Sequence, residues 1–335
     1  MMLIVAHHYV VNSGLLDVIS VNPSSAKSIF LYLWGMWGKT GINCFVLITG
    51  YFMCTANITL RKFLKLLLEV EFYKVIIYAL FIIFGYEAFS MKGCFKSLMP
   101  ITTVTFNFIS CYLVFFLFIP FLNKMVQNLD KRGHIKLLLL CLLTYTAMGT
   151  LPGFHVSFNY VTWFCVLYII GSYIRLYGFL PSLSNSQWGW LSLLSVIVSM
   201  SSVLFFIAIG KTTLPYPYRL VQDSNTALAV MTAVFSFMYF KDLKIKQSKA
   251  INTVAASTFG VLLIHANSDT MRSWLWRHTL DNVGFYSTDY VYIHAIASVI
   301  TVFFVCILID YIRIHTLEQW AFKHIDKALV NHGWR

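Results

Sequence analysis

Tyr290-Val-Tyr-Ile-His-Ala-Ile-Ala-Ser-Val-Ile-Thr-Val-Phe-Phe-Val-Cys-Ile-Leu-Ile-Asp310-Tyr-Ile312 is an almost unbroken apolar run near the end of the chain. As a helix it is long enough to cross a bilayer, which takes about 20 residues. It lacks the alternating pattern of a barrel strand, so only a helix satisfies its backbone in lipid. Its acid, Asp310, lies at the end of the run, where Arg313 can reach it.

Nine apolar stretches that approach this length precede it, at roughly 1–12, 28–53, 66–87, 106–123, 135–151, 159–177, 188–210, 225–240 and 253–267, the last two short and either tilted or re-entrant. The reading is an all-α integral membrane protein, a bundle of about ten transmembrane helices forming one domain over residues 1–335. Composition agrees: the chain is 59% hydrophobic and 11% charged, with mean hydropathy +0.72. A soluble domain carries about 25% charged residues. The net charge of +12 does not point to nucleic acid, because the basic residues punctuate apolar runs and form no single patch. With the loop 54–65 in the cytoplasm, sixteen of the 25 Lys and Arg residues fall inside and seven outside, with Lys39 and Lys74 within spans. The positive-inside rule then places both termini in the cytoplasm. The seven cysteines fall singly, so neither a zinc site nor a disulfide framework is expected.

The opening run, Met1-Met-Leu-Ile-Val-Ala-His7-His8-Tyr9-Val10, holds adjacent imidazoles in apolar sequence. An intramembrane histidine faces a cavity, a partner or a substrate path, and its ordinary pKa suits proton exchange near neutrality. A helix-end histidine satisfied by a backbone carbonyl is the alternative. Polar Asn12-Ser13-Gly14 follows so soon that the first span is too short to cross; it is read as truncated at its N-terminus, with a re-entrant half-helix as the alternative. Arg61, Lys62 and Lys65 form a basic cluster that serves either as a topology signal or as a phosphate-binding set. Glu71 and Lys74, three apart in the third span, are expected to pair. Lys39 and Asp310 read as structural, and Gly50 before Tyr51 permits close helix approach. His265, in Leu262-Leu-Ile-His265, is either a core partner or part of a substrate path. Aromatics beside Arg219 and Arg277 in the outer loops, including Tyr216, Tyr218, Trp274 and Trp276, either anchor at the interface or stack on a sugar.

In order along the chain, Met2-Leu-Ile-Val-Ala-His7-His8-Tyr9, Gly41-Ile-Asn-Cys-Phe-Val-Leu-Ile-Thr49-Gly50-Tyr51, Cys111-Tyr112-Leu, Ile119-Pro120-Phe121-Leu122-Asn123-Lys124, Tyr168-Ile-Ile-Gly171-Ser-Tyr-Ile-Arg175 and Leu262-Leu-Ile-His265 together resemble the integral-membrane acyltransferase-3 family. The resemblance implies a membrane O-acyltransferase, moving acetyl from cytoplasmic acetyl-CoA to a sugar hydroxyl. The acceptor would be a cell-surface polysaccharide or its lipid-linked precursor, and the setting a bacterial cytoplasmic membrane. The family places a basic residue eleven positions before a first-helix histidine; His8 fits that spacing better than His7, and the basic position falls before residue 1. The family's cytoplasmic basic pair matches Lys62 and Lys65 with Arg61 alongside, lysine standing where arginine is usual. By this resemblance His8, with His7 beside it, is the catalytic candidate, and Arg61, Lys62 and Lys65 bind the donor's phosphates. Tyr51, Glu71, Lys74 and His265 are candidates for the substrate path. No metal is implied. A multi-span transporter or flippase of glycan precursors is the competing class, which paired helix interruptions in corresponding halves would favour. No such symmetry is visible in the sequence.

Overall fold

The computed structural model describes residues 1–331 apart from 104–106, 155, 158, 180–181 and 213–215. Among the described residues the chain is 79% helix with no strand. The helices are α1 (Met2–Val11), α2 (Leu15–Val21), α3 (Ala26–Gly35), α4 (Gly38–Met53), α5 (Leu60–Ile83) and α6 (Met91–Leu98). They continue with α7 (Phe108–Asn128), α8 (Lys131–Thr150), α9 (Tyr160–Tyr177), α10 (Asn185–Ala208), α11 (Ala227–Lys241) and α12 (Lys249–Ala256). The last are α13 (Thr258–His265), α14 (Asp269–Thr279), α15 (Asn282–Tyr286), α16 (Val291–Arg313) and α17 (Gln319–Asn331).

Of these, five are long and apolar enough to cross a membrane: α7, α8, α9, α10 and the continuous α16–α17 rod. The number rises to seven if α1 with α2, bent by 65°, and α12–α13 with α14, bent by 93°, each count as one span. The helical membrane class is as expected, but five to seven spans stand where about ten were expected, for identifiable reasons. The stretch at 28–53 breaks at Met36-Trp37 into α3 and the 16-residue α4. The 24-residue α5 carries Arg61, Lys62, Lys65, Glu69, Glu71 and Lys74, and α11 has only 15 residues.

Glycines decide how closely the central helices approach. Val10, His7 and Ile4 of α1 lie directly against Gly35, Gly38 and Gly41, so α1 is seated on a small-residue strip along α3 and α4. The approach expected at Gly50 is present, with its Cα facing the backbone of Tyr168 where α4 crosses α9. At the same crossing a Cβ on Gly171 would stand 2.8 Å from the Leu47 carbonyl oxygen and 2.9 Å from the Tyr51 nitrogen. Backbone cannot yield as a side-chain tip can. Gly171→Ala is therefore expected to cost about 1–3 kcal/mol through overpacking. The check is the melting temperature of the purified protein in detergent; an unchanged value would show that α4 and α9 can separate freely.

Buried polar side chains fix the register. Fully buried Asn43 donates to the Ser224 carbonyl at 2.7 Å and accepts from Trp163 Nε1 at 3.0 Å, tying α4 to α9 and the loop before α11. The expected Asp310–Arg313 pair forms at 2.8 Å and is buried. Arg313 also reaches Glu318 at 2.9 Å and Glu69 at 3.2 Å, while the Tyr73 hydroxyl donates to Asp310 at 2.9 Å. Pairing of this kind offsets the cost of burying charge.

Candidate active site

Thr59 caps the start of α5 by accepting from the Lys62 amide, which sets Arg61, Lys62 and Lys65 in the first turns. Lys74 lies twelve residues on, about 18 Å further along the axis at the helical rise. These two ends of α5 serve different surroundings, and the sequence candidates divide between them.

At the far end, α1, α4, α5, α6, α7, α9, α13 and α14 contribute to the wall of a cavity of about 800 Å³, and that wall includes His7, His8, Lys39, Lys74, Tyr160 and Arg272. It extends to Lys96 and to Asp269, whose side chain is exposed. Fully buried His265 stands directly behind His8. The His8 Nδ1 and His265 Nε2 atoms are 3.0 Å apart, and the ring centroids 5.1 Å.

This contact assigns the protons. His265 Nδ1 lies 2.5 Å from the Val261 carbonyl oxygen, which can only accept, so Nδ1 carries the hydrogen. In the neutral ring Nε2 then holds the lone pair and accepts from His8 Nδ1–H. His8 Nε2 is left as the unprotonated nitrogen of a ring that lines the cavity. His7 Nδ1 donates in the same way to the Gly35 carbonyl at 2.5 Å. His7 therefore shows the backbone-satisfied arrangement that sequence allowed for either histidine, whereas His8 is held by a second imidazole.

Several candidates lie elsewhere. The expected Glu71–Lys74 ion pair is absent among the described residues: Lys74 Nζ turns into the cavity and donates to the Asn267 carbonyl at 3.1 Å. Glu71 is half-buried, and its Oε2 has no hydrogen-bond partner. A carbonyl at the broken α13–α14 junction offers Lys74 an acceptor that local spacing along α5 could not reveal. Tyr51 is also outside the cavity wall, with its hydroxyl accepting from Arg175 at 3.2 Å and its ring 5.0 Å beneath the guanidinium.

At the near end the basic cluster is engaged by the segment that closes the chain. Arg61 grips Asp326 of α17 through two hydrogen bonds of 2.7 and 3.1 Å and lies 4.8 Å over the Phe322 ring. Lys65 pairs with Glu318 at 2.6 Å, and Lys62 donates to the Asn57 carbonyl at 2.7 Å. Of the three, only Lys62 has no carboxylate partner among the described residues.

Lys39, read from sequence as structural, instead faces the histidine cavity, where its Nζ donates to the Tyr160 hydroxyl at 2.6 Å. Its position in a span without a neighbouring acid was the available signal. Arg272 and Asn267 carried no such signal, because a broken helix pair brings them in. Among the described residues no group of three or more His, Cys, Asp or Glu side chains is arranged to hold a metal ion. With this geometry in place, the family comparison is specific: a family model described as an acyltransferase domain matches residues 1–311. No curated protein and no solved structure matches the chain.

Proposed function

Since this chain belongs to the acyltransferase-3 family and is a membrane acyltransferase, we propose that it moves acetyl from cytoplasmic acetyl-CoA to a sugar hydroxyl of a surface polysaccharide or its lipid-linked precursor. The observation that carries this reading is the His8–His265 pair at the wall of the cavity. His8 Nε2 takes the proton of the acceptor hydroxyl as the oxygen attacks the thioester carbonyl. The carbon–sulfur bond breaks, and the coenzyme thiolate receives a proton in return. A transient acetyl on Nε2, passed on to the hydroxyl in a second step, uses the same atom and the same partner. His265 acts through His8 as a positioning residue, fixing the tautomer and accepting the Nδ1–H bond that strengthens as the ring becomes charged.

The protein is read as lying in a bacterial cytoplasmic membrane with both termini inside, which turns the basic start of α5 toward the cytoplasm. The donor's phosphates would meet Lys62 first and exchange with the carboxylates of Asp326 and Glu318 for Arg61 and Lys65. Their thioester would then run along α5 toward His8. Lys62→Ala combined with Lys65→Ala is expected to raise the KM for acetyl-CoA about tenfold, the loss of one to two charge-assisted contacts. Asp326→Asn, which frees Arg61, is expected to lower it. Steady-state kinetics in nanodiscs checks both, and a KM unmoved by either change would remove this cluster from the donor site.

The function itself is tested by mass spectrometry of surface glycan from cells with and without the gene. Disappearance of O-acetyl groups is the expected result. An unchanged acetylation pattern, together with no transfer from acetyl-CoA by the purified protein, would sink the reading.

A further inference from the structure

Resting on the acyl-transfer reading, we propose that the acceptor is an anionic glycan whose carboxylate or phosphate is held in the cavity by Lys39, Lys74 and Arg272 beside His8. Four cations line this cavity, Lys39, Lys74, Lys96 and Arg272, against the carboxylates of Glu87 and Asp269. The acids are poorly used. Among the described residues Lys39 is held by the Tyr160 hydroxyl and Lys74 by the Asn267 carbonyl, both neutral acceptors. Among the described residues neither ammonium has a carboxylate oxygen within 4.0 Å, and Glu71 does not reach Lys74. Arg272 is paired, but with Asp269, whose side chain is 97% exposed and therefore screened by solvent.

The backbone adds to this excess. The first residues of α4, α7 and α9, Gly38, Phe108 and Tyr160, all line the same cavity, as do Ser268 and Asp269 at the start of α14. Four helix N-termini thus border one chamber, opposed there by the C-terminal ends of α6 and α13; an N-terminus disfavours a cation and favours an anion. Lys39 is the second residue of α4, so its charge lies against the wrong end of its own helix. Half-buried lysines with no carboxylate oxygen within 4.0 Å among the described residues, converging from separate helices, are costly as they stand. An anionic group entering with the substrate supplies the missing charge. A neutral glycan would leave the cost in place. The cations come from α4, α5, α6 and α14, so the anion would be gripped from several sides and its neighbouring hydroxyl presented to His8.

The test offers three labelled acceptors to the full chain in nanodiscs at fixed acetyl-CoA: trigalacturonate, its methyl triester, and a neutral trisaccharide on an isoprenyl diphosphate. Transfer and equilibrium binding are measured in parallel. The expected result is a preference of about tenfold for an acid-bearing acceptor over the ester in both readouts, the worth of one good charge-assisted contact. That preference should fall toward unity in Lys74→Gln and persist in Lys74→Arg. Selection of trigalacturonate identifies the anion as a sugar carboxylate, and selection of the diphosphate identifies it as the lipid carrier's; either supports the proposal. Binding that does not distinguish the three, with no effect of Lys74→Gln on the ratio, overturns it. Transfer to the ester at full rate in that case leaves acyl transfer standing. Charge-selective binding without transfer to any acceptor would instead retain the anion site and overturn acyl transfer.

Discussion

His8→Ala is expected to lower kcat/KM for acetyl transfer by about 1,000-fold or more, the usual scale for removing a general base that also positions the reacting group. The loss should appear in kcat, because the proton is taken only as the new bond forms. Folding should survive. The His8 side chain bonds to another side chain and not to backbone, and it lines open space on one side. A melting temperature close to that of the unaltered protein, together with abolished transfer, is the expected pair of results. Retained glycan acetylation in this variant would remove His8 from the chemistry.

The second large effect concerns His265, which touches His8 and does not line the cavity. His265→Leu removes the only acceptor for His8 Nδ1–H among the described residues and allows the ring to turn or to adopt the other tautomer. A loss of about 100-fold in kcat is expected, since a hydrogen-bond partner that fixes the tautomer and orientation of a working histidine is commonly worth about ten- to a hundredfold. His265→Gln can place a carbonyl oxygen near the position of Nε2 and should restore most of that loss, since it accepts the same hydrogen. A merely structural role predicts the opposite order, because leucine suits a fully buried apolar site better than an amide does. The Leu-to-Gln comparison therefore separates positioning from packing. Equal activity in both variants would show that His8 needs no partner.

The membrane class, the helical fold and the family were legible in the sequence because each depends on local or cumulative properties. A run such as 291–312 needs no neighbour to declare itself apolar, and ordered short motifs along the chain identify a family without any knowledge of contacts. The same property explains where the reading of spans fell short. Hydropathy records how apolar a stretch is but not where it breaks, so Met36-Trp37 and the 93° bend after His265 were invisible to it.

The sequence by itself determined that this is a helical membrane acyltransferase and that histidines near its start were worth attention. Tertiary structure decided which one differs, what holds it, and what surrounds it. His8 and His265 lie 257 residues apart, and their contact exists because α1, seated on the glycine strip of α3 and α4, and α13 both pack against α16. Likewise Lys39, Lys74 and Arg272 belong to three helices, and only their packing makes one basic cavity of them. Glu318 and Asp326, near the end of the chain, close onto Lys65 and Arg61 in the same long-range way. The physical reason is common to all of these. Hydropathy acts along the chain, whereas hydrogen bonds and charge pairing act across a few ångströms of space, between residues that any distance of chain can separate.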